Sequence, residues 1–77
     1  METIEKRFAN AVRKRRKELN LSQEAFATAA GIHRTYASSI ERAKVQVSIN
    51  IAEQIASALE LSLSELFARI ESEKTKP

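Results

Sequence analysis

Seventy-seven residues with one glycine, one proline and no cysteine leave room for one small domain, and they exclude a disulfide framework or a thiolate metal site. A chain this short buries only about 60% of the surface it exposes when unfolded, so a second copy would add apolar burial that one copy lacks. The net charge of +3 is unevenly divided: residues 1–44 carry ten Lys/Arg against five Glu, and residues 45–77 carry three against five, which suits the first half to a polyanionic partner.

Helix periodicity organises the chain. In residues 4–19, Ile4, Phe8 and Val12 step by four and Leu19 continues the stripe. Asn20 stands where this helix should stop. Ser22 is a good N-cap for a second helix over residues 23–30, with Phe26, Ala27 and Ala30 inward. Gly31 then supplies a turn, because glycine adopts positive φ at little steric cost. A third helix over residues 34–42 turns Ala37 and Ile40 inward. Thr35 and Arg42 then point outward, with Arg34, Ser38 and Ser39 beside them.

Residues 45–51 alternate weakly, but a lone strand has no partner, so the fold class is read as all-α. Ser48 caps a fourth helix carrying Ile51, Ile55 and Leu59. Ser62-Leu-Ser-Glu65 is a capping box opening a fifth, with Leu63, Leu66, Phe67 and Ile70 as its stripe. Residues 71–77 read as a polar, frayed tail. The expectation is one domain over residues 1–77, with dimerisation assigned to residues 47–70.

The charged opening METIEKRF lacks the apolar stretch of a signal peptide, and no run reaches the ~20 apolar residues of a membrane span. A cytoplasmic protein with no membrane association is expected. One histidine, no aspartate and no poised acid–base pair argue against an enzyme. No cofactor, metal or small-molecule ligand is expected.

The informative stretch is residues 21–42, LSQEAFATAAGIHRTYASSIER. Two short helices joined by a tight turn containing glycine form a helix-turn-helix. Small Ala27 lets the helices cross closely, and Ile40 pins the second to the core. A helix in the major groove places its N-terminal residues nearest the base edges. Arg34, Thr35, Ser38 and Ser39 are therefore the candidate base contacts, since Arg forks onto guanine O6 and N7 and Thr meets a thymine methyl.

Candidate DNA-backbone contacts are Ser22, Gln23, His33, Tyr36, Arg42, Lys44, Gln46, Ser48 and Asn50; those at helix N-termini sit where free N–H groups and the dipole favour anions. His33 is alternatively a cap and Tyr36 a packing residue. Arg16 continues the stripe of Phe8 and Val12, and Glu41 lies beside Ala37. A partly buried Arg16–Glu41 ion pair follows. Arg13, Lys14 and Lys17 read mainly as solvated face, with Arg13 the best placed of them for a phosphate.

Ser22-Gln23, Ala27, Gly31, Ile40-Glu41-Arg42 and Ile55-Ala-Ser-Ala-Leu59 resemble the Xre-type helix-turn-helix family of phage repressors. Residues 31–42 are similar to restriction–modification controller proteins, and the Arg34-Thr35-Tyr36 triplet carries that likeness. The resemblance spans residues 8–70. It implies a five-helix, lambda-repressor-like domain that dimerises and binds paired half-sites near promoters. It implies that Arg34, Thr35 and Tyr36 meet DNA, that Arg16 and Glu41 form the family's packed pair, and that dimers form through the last two helices. The interface residues expected there are Ile49, Leu61, Leu63, Phe67 and Ile70.

The sequence departs from the family pattern at several positions. Ala43 replaces a usual glycine, Val45 an arginine common in controllers, and Arg15 a usual leucine, while Ile51 and Ala52 reorder the start of the fourth helix. The expected partners are double-stranded DNA, a second copy of the chain, and RNA polymerase, which would be blocked or recruited according to operator position. The alternatives are a phage-type repressor and an antitoxin-like module that chiefly binds a protein.

Overall fold

The structure is a computed structural model that describes residues 3–73. Its elements are α1 (Ile4–Glu18), α2 (Gln23–Ala30), α3 (Arg34–Glu41), α4 (Ile49–Ala58) and α5 (Leu63–Glu73). No strand occurs among the described residues, and residues 45–48 run irregularly into α4. Val45 and Val47 instead lie half-buried against the core.

Each helix opens on a side-chain acceptor. The hydroxyls of Thr3, Ser22 and Ser48 accept from the N–H groups of Lys6, Ala25 and Ile51 at 3.2, 3.0 and 3.1 Å. Ser62 and Glu65 form the expected capping box: Glu65 N–H donates to Ser62 Oγ at 3.1 Å and Ser62 N–H to Glu65 Oε1 at 2.8 Å. At α3 the cap is His33, whose Nδ1 accepts from Thr35 N–H at 3.1 Å.

The first four helices close in one way. After each, a residue at positive φ reverses the chain: Asn20 (58°), Gly31 (72°), Ala43 (59°) and Glu60 (60°). Two backbone bonds then wrap back over the last turn. Ile32 N–H reaches Ala27 O at 3.0 Å and Gly31 N–H reaches Thr28 O at 3.1 Å, and the same pattern recurs at Leu21, Lys44 and Leu61. This is the Schellman arrangement, which satisfies carbonyls that a helix end would otherwise leave open. Three of the four sites use an L-residue where glycine is the unstrained choice.

Val12, Phe26, Ile40, Ile55, Leu59 and Leu66 fill the centre of the core. α1 packs on α3 and α5, α2 on α3 and α4, and α4 on α5. Buried Ala27, Ala30 and Ala37 lie in the α2–α3 unit. Their small side chains allow the two helices to approach closely.

Three expectations are corrected. α1 ends at Glu18, with Leu19 as its cap, and α3 ends at Glu41, with Arg42 as its cap. α5 continues through residues 71–73 rather than fraying, because Glu73 is buried and pairs with Lys14 Nζ at 2.8 Å. Residues 74–77 of the expected tail lie outside the described residues. Arg15 is half-buried and donates from Nε to Leu59 O at 2.9 Å. Its guanidinium also meets Glu18, which bonds Arg69 at 3.1 Å. Hydrogen bonds from Arg69 and Arg15 hold the Glu18 carboxyl below the usual carboxylate range.

The helix ends give a direct test. An L-residue held in the left-handed region is strained by about 1 kcal/mol or more. Ala43→Gly and Glu60→Gly should therefore each raise stability by about 0.5–1 kcal/mol, after the larger unfolded-state freedom of glycine is subtracted. At Gly31 a Cβ would meet only Gln54 Nε2, at 3.9 Å. Gly31→Ala should thus cost only the backbone strain, about 1 kcal/mol. Urea midpoints read all three, and a loss in the Ala43→Gly variant would contradict the strain argument.

Candidate nucleic-acid interface

α3 presents two unlike faces. Ala37, Ile40 and Glu41 are buried, and Tyr36 is half-buried against the core cluster. On the other side Arg34 and Thr35 are exposed, with Ser38 and Ser39 half-exposed beyond them. Its leading end therefore offers a guanidinium and a hydroxyl to solvent, and its trailing end is anchored.

The anchor is the carboxylate of Glu41. Glu41 is 4% exposed and Arg16 13%. Arg16 Nε donates to Oε2 at 2.7 Å and Nη2 to Oε1 at 2.9 Å, while Nη1 donates to the carbonyl of Leu21 at 2.9 Å. The planar fork matches both carboxylate oxygens, which compensates for the removal of two charges from water. One arginine thus joins α1, the α1–α2 turn and the end of α3.

Other candidate contacts surround this helix. Ser22 and Ser48 use their hydroxyls as caps. The first-turn N–H groups after them lie outside each helix's own hydrogen-bond ladder and form the positive end of its dipole. Gln23 is half-exposed; Asn50, Arg42 and Lys44 are exposed. His33 commits Nδ1 to the α3 cap and keeps its ring exposed.

Three expectations change. Gln46, a candidate phosphate contact, donates its Nε2 to Glu5 at 3.1 Å. That bond occupies part of the donor group and brings a carboxylate beside it, which opposes a phosphate there. Arg13 and Lys14 are not merely solvated: Arg13 bonds to Asn10 and to the Glu41 carbonyl, and Lys14 to Glu73. Ile70, expected in an interface, is 3% exposed. It closes the core of its own chain and offers no surface to a second one. Leu61 and Leu63 are half-buried against that core, whereas Ile49 and Phe67 are 73% and 44% exposed. The long-range partners, Glu5–Gln46 and Lys14–Glu73, left no mark in helical periodicity. Asn10 and Arg13, three apart on one helix, could have been read as neighbours.

A capped, glycine-turned helix pair with one helix locked from behind and polar at its outer tip defines a helix-turn-helix protein. The chain belongs to the helix-turn-helix family, whose sequence profile matches residues 12–66. That family is not one of enzymes. Its relatives include control protein C.MunI of Mycoplasma sp, 49% identical over 74 residues that cover 95% of this chain and 100% of that one. Control protein C.SmaI of Serratia marcescens is 39% identical over 66 residues, covering 86% and 79%. The restriction–modification controller protein C.Esp1396I superposes with a TM-score of 0.92 at 28% identity over 100% of this chain and 99% of that one. The same controller has been solved as a tetramer in complex with its natural 35 base-pair operator. The five-helix fold expected from the sequence, with no strand among the described residues, is thus the fold of a controller protein. No helix of the described residues is long and apolar enough to cross a membrane.

Removing one partner from the buried fork leaves an uncompensated charge. Glu41→Ala should lower stability by about 3–5 kcal/mol. Thermal and urea denaturation measure this directly, and a loss below about 1 kcal/mol would mean that the pair behaves as a surface salt bridge.

Proposed function

We propose that this chain is a sequence-specific DNA-binding transcription regulator of the restriction–modification controller kind, acting as a homodimer on a pseudo-palindromic operator. The observation that carries this reading is the exposed Arg34–Thr35 pair at the leading end of a helix whose far end is fixed by Arg16. In the major groove that end meets base edges, where Arg34 forks onto guanine and Thr35 reads a methyl or a carbonyl. Ser38 and Ser39 lie farther along the same face. The helix N-termini after Ser22 and Ser48, with Arg42 and Lys44, hold phosphates and set the register. His33 and Tyr36 flank them. The operator complex of C.Esp1396I supports the same mode here.

Dimerisation uses the exposed apolar residues Ile49 and Phe67, with the outer edges of Leu61 and Leu63. Two copies related by a two-fold axis place their α3 helices about 34 Å apart, in successive major grooves. The bound dimer then blocks or recruits RNA polymerase according to the position of the operator.

Selection of bound sequences from a random duplex library, with the complex sized on a native gel, tests this reading. The expected product is a pseudo-palindrome with half-sites about one helical turn apart, bound by an even number of chains. Weak, salt-sensitive binding with no enriched sequence would overturn it. On the selected duplex, Arg34→Ala should cost about 1–3 kcal/mol and relax one base pair. Lys44→Ala should weaken specific and random duplexes alike and reduce the salt slope by about one. Phe67→Glu should give a monomer by sedimentation that no longer selects paired half-sites. A dimer that survives the substitution would remove Phe67 from the interface.

A further inference from the structure

Arg13 belongs to the densest basic run of the chain, where a phosphate contact is the obvious role. The structure places its guanidinium elsewhere. Nη2 donates to Asn10 Oδ1, three residues earlier on α1, at 2.8 Å, and Nη1 donates to the backbone carbonyl of Glu41 at 3.3 Å. The carbonyls just before Glu41 are already occupied: Ser38 O accepts from Arg42 N–H, Ser39 O from Lys44 N–H and Ile40 O from Ala43 N–H. Arg13 thus supplies a donor to the last carbonyl of α3, where a cation also suits the negative end of the helix dipole.

Glu41 is therefore held twice from the same helix. Arg16 takes its carboxylate and Arg13 takes its main chain. We infer that Arg13, oriented by Asn10, is a positioning residue for DNA reading: it fixes the direction in which α3 points. The inference rests on the functional reading above.

The geometry gives the size of the effect. Arg34 lies seven residues from Glu41, roughly 10 Å along the helix axis at 1.5 Å per residue. Ala37 and Ile40 seat α3 in the core, but apolar contacts set its tilt less sharply than directional hydrogen bonds at its end do. A swing of about 10° would carry Arg34 by roughly 2 Å, against a hydrogen-bond distance tolerance of only about 0.5 Å. Phosphate contacts made by flexible side chains and loops tolerate such a shift far better than a bidentate base contact does. A second anchor on the main chain narrows the remaining tilt. The bond to Glu41 O is long, so its expected consequence is orientation rather than a large share of the stability.

The test uses the duplex enriched by selection and a random duplex, with wild type, Arg13→Ala, Asn10→Ala and Arg13→Lys. Four quantities are read: specific Kd, random-duplex Kd, the salt slope and the thermal midpoint. Arg13→Ala should reduce the ratio of specific to random affinity roughly tenfold, equivalent to about one well-placed contact. Random-duplex affinity, salt slope and thermal midpoint should stay close to wild type. Asn10→Ala keeps the charge but loses the orienting bond, so it should shift the ratio in the same direction. Arg13→Lys, which cannot fork between the two acceptors, should fail to restore it.

Equal weakening on both duplexes with the slope reduced by about one would make Arg13 a phosphate contact and overturn the inference. A lower midpoint with an unchanged ratio would make it structural only, and would overturn it equally. If Arg13→Ala does not fold, the Asn10→Ala ratio decides. A wild type with no preferred sequence overturns the functional reading and this inference together. A discriminating wild type with unchanged ratios in both alanine variants overturns this inference alone.

Discussion

The fork between Arg16 and Glu41 is the interaction on which the arrangement depends. A carboxylate only 4% exposed needs both oxygens satisfied, and one planar guanidinium satisfies both while also donating to Leu21 O. The partners come from α1, from the turn before α2 and from the last residue of α3. Replacing the fork by apolar residues could preserve stability, since buried pairs often contribute little net energy. It would not preserve direction, because apolar contacts are less directional than two parallel hydrogen bonds. The charged pair fixes where α3 ends, and hence where Arg34 and Thr35 begin.

The remaining elements follow from how helix ends are closed. Five helices in 71 described residues leave short connections, so most of the backbone groups at risk lie at termini. Hydroxyls, one imidazole and one capping box close the starts, and left-handed residues close four of the ends. Only Gly31 does so without strain. It falls in the turn of the helix-turn-helix, between the helices whose relative position the proposed DNA reading requires. The strained sites, Asn20, Ala43 and Glu60, follow α1, α3 and α4.

Much of this was legible in the sequence because it is local. Apolar steps of three and four gave the helices, Ser22, Ser48 and Ser62-Leu-Ser-Glu65 gave the starts, and Gly31 gave the turn. The pairing of Arg16 with Glu41 was legible because each residue extends an inward stripe on its own helix. Contacts between residues far apart in the chain were not. Nothing in METIEKRF announces that Glu5 will bond Gln46, and nothing in the basic run separates Arg13, turned inward, from Lys17, turned to solvent. An apolar stripe cannot tell the core of one chain from the seam between two, so the sequence does not reveal that Ile70 closes the core of its own chain. Glu73 looked like part of a polar tail until its burial beside Lys14 showed that α5 continues through it.

The charge asymmetry gains meaning from the fold. Part of the basic excess of residues 1–44 is absorbed internally, by Glu41, Glu18, Asn10 and backbone carbonyls. The cations left exposed on the helix-turn-helix side include Arg34, Arg42 and Lys44. In the proposed mode of binding, the tip of α3 enters the major groove. Methylation protection of guanine N7 on the selected duplex tests it most directly, because N7 lies in that groove. The account predicts two protected clusters about one helical turn apart on one face, each losing protection in Arg34→Ala. Protection that is absent, or that is spread evenly along the duplex and indifferent to Arg34, would contradict it.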